Sequence, residues 1–230
     1  MVGVYRIYPK KKKNIFSNLS VNTNIIIVNV VLFVFFTILI SFKFVSIDSI
    51  AIRPSNIIGG NYLWTFLTSM FMHGGFFHLF VNMFSLFFVG SLLQKILGAK
   101  RYLYFYLLAG LFAGLFFVLL SFFIQSGDFN TYAVGASGAI FGLIGLLVFL
   151  TPNLPVYIMF IPIPIKMKYA APGMLVVLWL ISQTPRFFGG EQIPIGNTAH
   201  LGGFIAGVIY GIYLKSKYKN KVRRISEHFS

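Results

Sequence analysis

Six stretches of this chain, residues 25–42, 74–93, 102–124, 131–150, 169–183 and 196–214, contain no charged side chain at all. A bilayer's hydrocarbon core is about 30 Å thick and an α-helix rises about 1.5 Å per residue, so runs near 20 residues read as helices that cross a membrane. Composition agrees: 57% of the residues are hydrophobic and 10% charged, against about 25% charged in a soluble domain. The expected fold is an all-α integral membrane protein, a compact bundle of six transmembrane helices. The fifth run has only 15 residues and is expected to tilt or pack loosely. Residues 156–167 are apolar too, but Pro162 and Pro164 remove helix donors, so this segment reads as an extended connector. The chain has no Cys, which excludes a disulfide framework, a thiolate zinc site and a cysteine nucleophile.

Lys10 to Lys13 precede the first run, as in a leader peptide, but that run is longer than a leader's apolar core and no small-residue cleavage pattern follows. It reads as the first span. Residues 1–24 and 215–230 are then basic tails on either side of a domain at 25–214. With six spans both tails share one face, and 16 of the 19 Lys and Arg fall on that face. Lys43, Arg53 and Arg186 lie opposite, with Asp48, Asp128 and Glu191. Basic residues stay on the cytoplasmic side of membrane proteins, so both termini are expected in the cytoplasm. The net charge of +15 is then a matter of topology and anionic lipid, and nucleic acid is not an expected partner. Residues 45–72, an outer loop rich in Ile, Phe and aromatic residues, are expected to lie in the membrane interface.

Polar side chains inside a membrane are costly and mark functional sites. His78 and Asn82 open the second run, Ser137 the fourth and His200 the sixth. These three runs enter from the outer face, so four polar residues converge at one depth, about 10 Å below the outer edge at helical rise. No Asp or Glu lies in any run, which excludes a paired-aspartate protease and weakens a coupled transporter. His73 and His78 are five residues apart, about 140° around a helix, so they do not share a face as a zinc pair would. A hydroxyl and an imidazole remain, and nucleophilic catalysis needs them within hydrogen-bond reach. Gly135, Gly138, Gly142 and Gly145 surround Ser137, while Gly203, Gly207 and Gly211 follow His200. Small residues at four-residue intervals let membrane helices pack backbone to backbone.

Three motifs stand in order: His73-x4-His78-x3-Asn82, Gly135-x-Ser137-Gly138 and Ala199-His200-x2-Gly203-x3-Gly207. Together they resemble the rhomboid family of intramembrane serine proteases, over residues 64–211. The resemblance implies a catalytic dyad of Ser137 and His200, and an oxyanion hole of His78, Asn82 and backbone N–H groups. It gives His73 a structural role and needs no metal or cofactor. The implied substrates are the transmembrane segments of other membrane proteins. They would enter laterally, with the fifth span and the loop at 183–198 as gate and cap, and the site would open to the extracytoplasmic side. The sequence departs from the family pattern at Thr65, where an Arg often follows Trp64, and at Phe141, often Tyr. Phe141 can still pack on His200, but a loop-anchoring arginine is missing or replaced. Nothing in the sequence fixes the oligomeric state.

Overall fold

The structure, a computed structural model, describes residues 19–124, 127–157, 163–187 and 196–229. Helix α1, Val21–Ser41, is capped by Ser20, whose side chain accepts from the Thr23 N–H. The outer loop follows, with two short helices, α2 (Pro54–Ile58) and α3 (Thr65–Thr68). Helices α4 (Phe76–Ser85) and α5 (Ser91–Leu97) are joined through a π-helical turn, Leu86–Gly90. A π turn frees a backbone carbonyl, and here Asn22 of α1 donates to Leu86 O at 2.8 Å and accepts from the Tyr102 hydroxyl. Helix α6 is Ala99–Ile124 and α7 is Ser137–Leu150. Strands β1 (Pro155–Val156) and β2 (Ile165–Lys166) pair antiparallel. Helices α8 (Met167–Phe187), α9 (Asn197–Lys217) and α10 (Lys219–His228) complete the chain.

Helix α7 is the centre of the bundle. Every residue from Gly138 to Leu147 is buried, because the helix is apolar on all faces and is wrapped by protein instead of lipid. It packs chiefly on α9 and α6. Three helices, Val21–Ser41, Phe76–Leu97 and Ala99–Ile124, are long and apolar enough to cross a membrane, and α7 and Met167–Ser182 are shorter apolar helices. This is a helical integral membrane protein.

Two boundaries differ from the sequence reading. The fourth run does not begin as a helix at residue 131: Ala133 pairs with Ile52 in an antiparallel bridge, and α7 starts only at Ser137. The fifth run is no 15-residue stub, since α8 covers 21 residues; flanking residues extend the helix beyond its purely apolar part. The connector is extended as expected at both ends, where β1 meets β2. Its residues 158–162 lie outside the described residues, as do residues 188–195, half of the expected cap at 183–198.

Candidate active site

The seam between α7 and α9 is built from glycine against glycine. A Cβ on Gly203 would collide with the Gly138 carbonyl, one on Gly207 with the Gly142 carbonyl, and one on Gly145 with the Phe204 carbonyl. The backbones therefore lie closer than any side chain permits. That approach sets His200, one turn before Gly203, beside the first residue of α7. His200 Nε2 and Ser137 Oγ are 2.9 Å apart, within the reach that proton transfer requires. His200 is 7% exposed. Phe141, one turn along α7, stacks on its ring at 4.5 Å between centroids and 22° between planes. That packing orients the imidazole in the absence of a carboxylate partner, and Nδ1 has no hydrogen-bond partner among the described residues.

The turn before Ser137 is shaped by Gly135, whose φ is +120°, a backbone conformation that side chains oppose. A Cβ there would stand 2.9 Å from both Cε1 and Nε2 of His78 and 3.6 Å from Ser137 Oγ. The His78 ring thus sits on the turn that presents the serine. His78 Nδ1 accepts from the Gly74 N–H at 3.3 Å. Asn82 is 4% exposed, and its Nδ2 donates to the His78 carbonyl at 2.8 Å. His73, 1% exposed, accepts at Nε2 from the Ala136 N–H at 3.5 Å and meets the His78 ring edge-on at 5.2 Å. His73 therefore touches the nucleophile's turn without touching the serine. A cavity of about 840 Å³ is lined by Ser137, His200, His78, Asn82 and His73. The first-turn N–H groups of α7 have no intrahelical acceptor, and this positive helix end favours negative charge beside Ser137.

Sequence reasoning missed the outer anchor of this turn. Asp48 Oδ1 accepts from Asn56 Nδ2 at 2.7 Å and from the Tyr132 hydroxyl at 2.9 Å. Arg53 lies 3.5 Å from the same oxygen and 5.3 Å above the Tyr132 ring. Next along the chain, Ile52 and Ala133 exchange both backbone bonds, at 2.8 and 3.1 Å, and the Gly135 N–H donates to Ser69 O at 2.9 Å. Arg53 thus supplies a loop-anchoring arginine from a different position, while Thr65 is buried and donates to Tyr62 O at 2.7 Å. The available signal was an Asp and an Arg five residues apart in an otherwise uncharged loop.

The Rhomboid domain family model matches residues 60–217. The chain belongs to the rhomboid family. It is 33% identical to RHOMBOID-like protein 1 of Arabidopsis thaliana over 162 residues, covering 70% of this chain and 37% of that one. It is 31% identical to Rhomboid protein 1, mitochondrial, of Saccharomyces cerevisiae over 161 residues, 68% of this chain and 44% of that one. It is also 33% identical to Inactive RHOMBOID-like protein 8 of Arabidopsis thaliana, over 63% of this chain and 36% of that one. The chain thus spans less than half the length of these relatives. Since one rhomboid relative is named inactive, membership of the family does not by itself carry an activity, and the individual residues have to.

Proposed function

We propose that this chain is an intramembrane serine endopeptidase that hydrolyses peptide bonds in or beside the transmembrane segments of other membrane proteins. The observation that carries this reading is the 2.9 Å contact between Ser137 Oγ and His200 Nε2 in a cavity shared with His78 and Asn82. In this mechanism His200 is neutral and its Nε2 lone pair takes the hydroxyl proton as Oγ attacks the scissile carbonyl carbon. The carbonyl π electrons move onto oxygen, and that oxyanion is met by His78, Asn82 and the N–H groups at the start of α7. Collapse breaks the C–N bond, the leaving amine takes the proton from His200, and water repeats the sequence on the acyl-enzyme. No step calls on a metal or cofactor.

The proposal includes the topology. Helix α1, the continuous α4–α5 helix, α6, α7, α8 and α9 are six spans, with both tails cytoplasmic and the cavity opening to the other side. Helix α7, at 14 residues, is about 21 Å long, some 9 Å short of the hydrocarbon thickness, so Ser137 lies below the outer surface. The non-helical segment before it replaces a helical turn and leaves room for water and substrate.

A fluorophosphonate probe added to the purified protein in detergent is expected to attach covalently to Ser137, located by peptide mapping. His200→Ala is expected to suppress the labelling. A non-cleaving, client-binding rhomboid is the second reading, favoured by the similarity to an inactive relative. It predicts a folded protein that the probe does not modify.

A further inference from the structure

At the end of the bundle remote from Ser137, the start of α6, the end of α9 and the start of α10 meet. Helix α6 opens with Lys100 and Arg101 and has no acidic residue in its first turn, the reverse of what the positive end of a helix dipole favours. Helix α9 ends in Lys215 and Lys217. The helix then breaks at Tyr218, with φ −127° and ψ 41°, and α10 brings Lys219 and Lys221. The Tyr218 ring has two cations against it: the Arg101 guanidinium carbon lies 5.9 Å and the Lys217 ammonium 5.7 Å from its centroid. Lys217 also donates to the Tyr213 hydroxyl at 2.9 Å.

Among the described residues Glu227 is the acidic group at this end, and it pairs with Arg223 at 3.7 Å. Among the described residues no carboxylate pairs with Arg101 or Lys217, which meet at the same ring. Two cations that share one ring repel, and a group with several negatively charged oxygens between them turns that repulsion into two attractions. Arginine and lysine also differ in the way such a site needs: a planar fork for two phosphate oxygens and a mobile point charge for the remainder.

The surroundings choose among phosphates. Leu108, seven residues on from Arg101, and Ile209, four before Tyr213, continue the same helix faces toward the middle of the bundle and are 63% and 56% exposed. The two helices touch between these faces, where Phe105 and Tyr210 stack at 4.8 Å. A phosphate seated here therefore has exposed apolar surface directly on its membrane side, and water on the other.

We propose that the α6–α9–α10 junction is a headgroup site for an anionic phospholipid of the surrounding bilayer. Its phosphate sits between Arg101 and Lys217 over Tyr218, and its acyl chains lie along Leu108 and Ile209. The proposal does not depend on the chain being a protease.

The test is native mass spectrometry of the full chain released from mixed micelles that contain equal phosphatidylglycerol and phosphatidylcholine. The parent protein is expected to retain phosphatidylglycerol in preference. A cation near an anionic surface contributes about five-fold in binding, so Arg101→Gln with Lys217→Gln is expected to lower retention by about ten-fold or more. Lys95→Gln with Lys166→Gln removes equal charge from the same end and is expected to leave retention intact, as is the charge-preserving pair Arg101→Lys with Lys217→Arg.

Equal retention of the two lipids by the parent overturns the proposal. So does an equal loss in both Gln pairs, which would mean diffuse charge and no site. Displacement of the lipid by inorganic phosphate, but not by sodium chloride of the same ionic strength, overturns it in favour of a free-anion site. Loss in the charge-preserving pair, with a lowered unfolding temperature, would reduce the residues to structural ones and overturn it too.

Discussion

Asn82 uses one amide hydrogen on the His78 carbonyl of its own helix, at 2.8 Å, and keeps a second. In the proposed mechanism that second donor meets the oxyanion, and loss of one such donor costs about 10² to 10³ in rate. Asn82→Ala is expected to slow turnover by that factor while a fluorophosphonate still labels Ser137; full activity in a folded Asn82→Leu protein would remove Asn82 from the site. Gly135 makes a different demand, since a Cβ there meets the His78 ring at 2.9 Å on a backbone that resists side chains. Gly135→Ala is expected to cut kcat at least about ten-fold and, through the backbone strain, to lower Tm by a few degrees, measured side by side. The Ser137 and His200 pairing was legible in sequence because the glycine spacing that brings their helices together is written in the chain. The partners of Asn82 and His73 were not: Asn82 turns back on the His78 carbonyl of its own helix, as short polar side chains do, and His73 meets the Ala136 N–H, 63 positions away.

At the scale of elements, the α7–α9 seam is the most specified contact and the easiest to break. Gly203→Ala puts a methyl onto the Gly138 carbonyl and must spread the two helices, an overpacking worth about 1–3 kcal/mol or more. It is expected to lower Tm and abolish activity together. A Cβ on Gly173 of α8 meets nothing within 4 Å, so Gly173→Ala is expected to be neutral or to stabilise by up to about 1 kcal/mol. In the proposed mechanism the outer anchor is expected to act on substrate positioning more than on stability. Asp48 is held below the usual carboxylate range, first by its hydrogen bond from Asn56, then by those from Tyr132 and Arg53. A carboxyl with a lowered folded-state value contributes above its unfolded value and loses that contribution as pH falls through the folded one. The anchor is thus complete at neutral pH and released in acid. The pair is about 30% exposed on each side, and such pairs are worth about 0–1 kcal/mol. Asp48→Asn is expected to raise KM several-fold with kcat and Tm nearly unchanged. Hydropathy could not reveal that residues 131–134 are not helical: the run is uncharged, and the pairing of Ala133 with Ile52, 81 positions away, together with the Gly135 N–H on Ser69 O, holds it out of the helix.

For the whole molecule, hydropathy and motif order made the membrane class and the family legible, while the crossing of each segment rests on charge. Because the chain has no Cys, Asn130→Cys and Ser216→Cys give single labels near the two proposed faces. In intact cells an impermeant thiol reagent is expected to reach the first directly and the second only after permeabilisation; the reverse pattern would turn the cavity toward the cytoplasm. The catalytic account itself stands on Ser137. Reconstituted in liposomes with a single-span reporter, the parent protein is expected to release a fragment cut within or beside the span. Ser137→Ala, with unchanged Tm, is expected to reduce that rate by at least about 10³-fold. Undiminished cleavage by Ser137→Ala, or no cleavage of any transmembrane reporter by a folded parent protein, would contradict it.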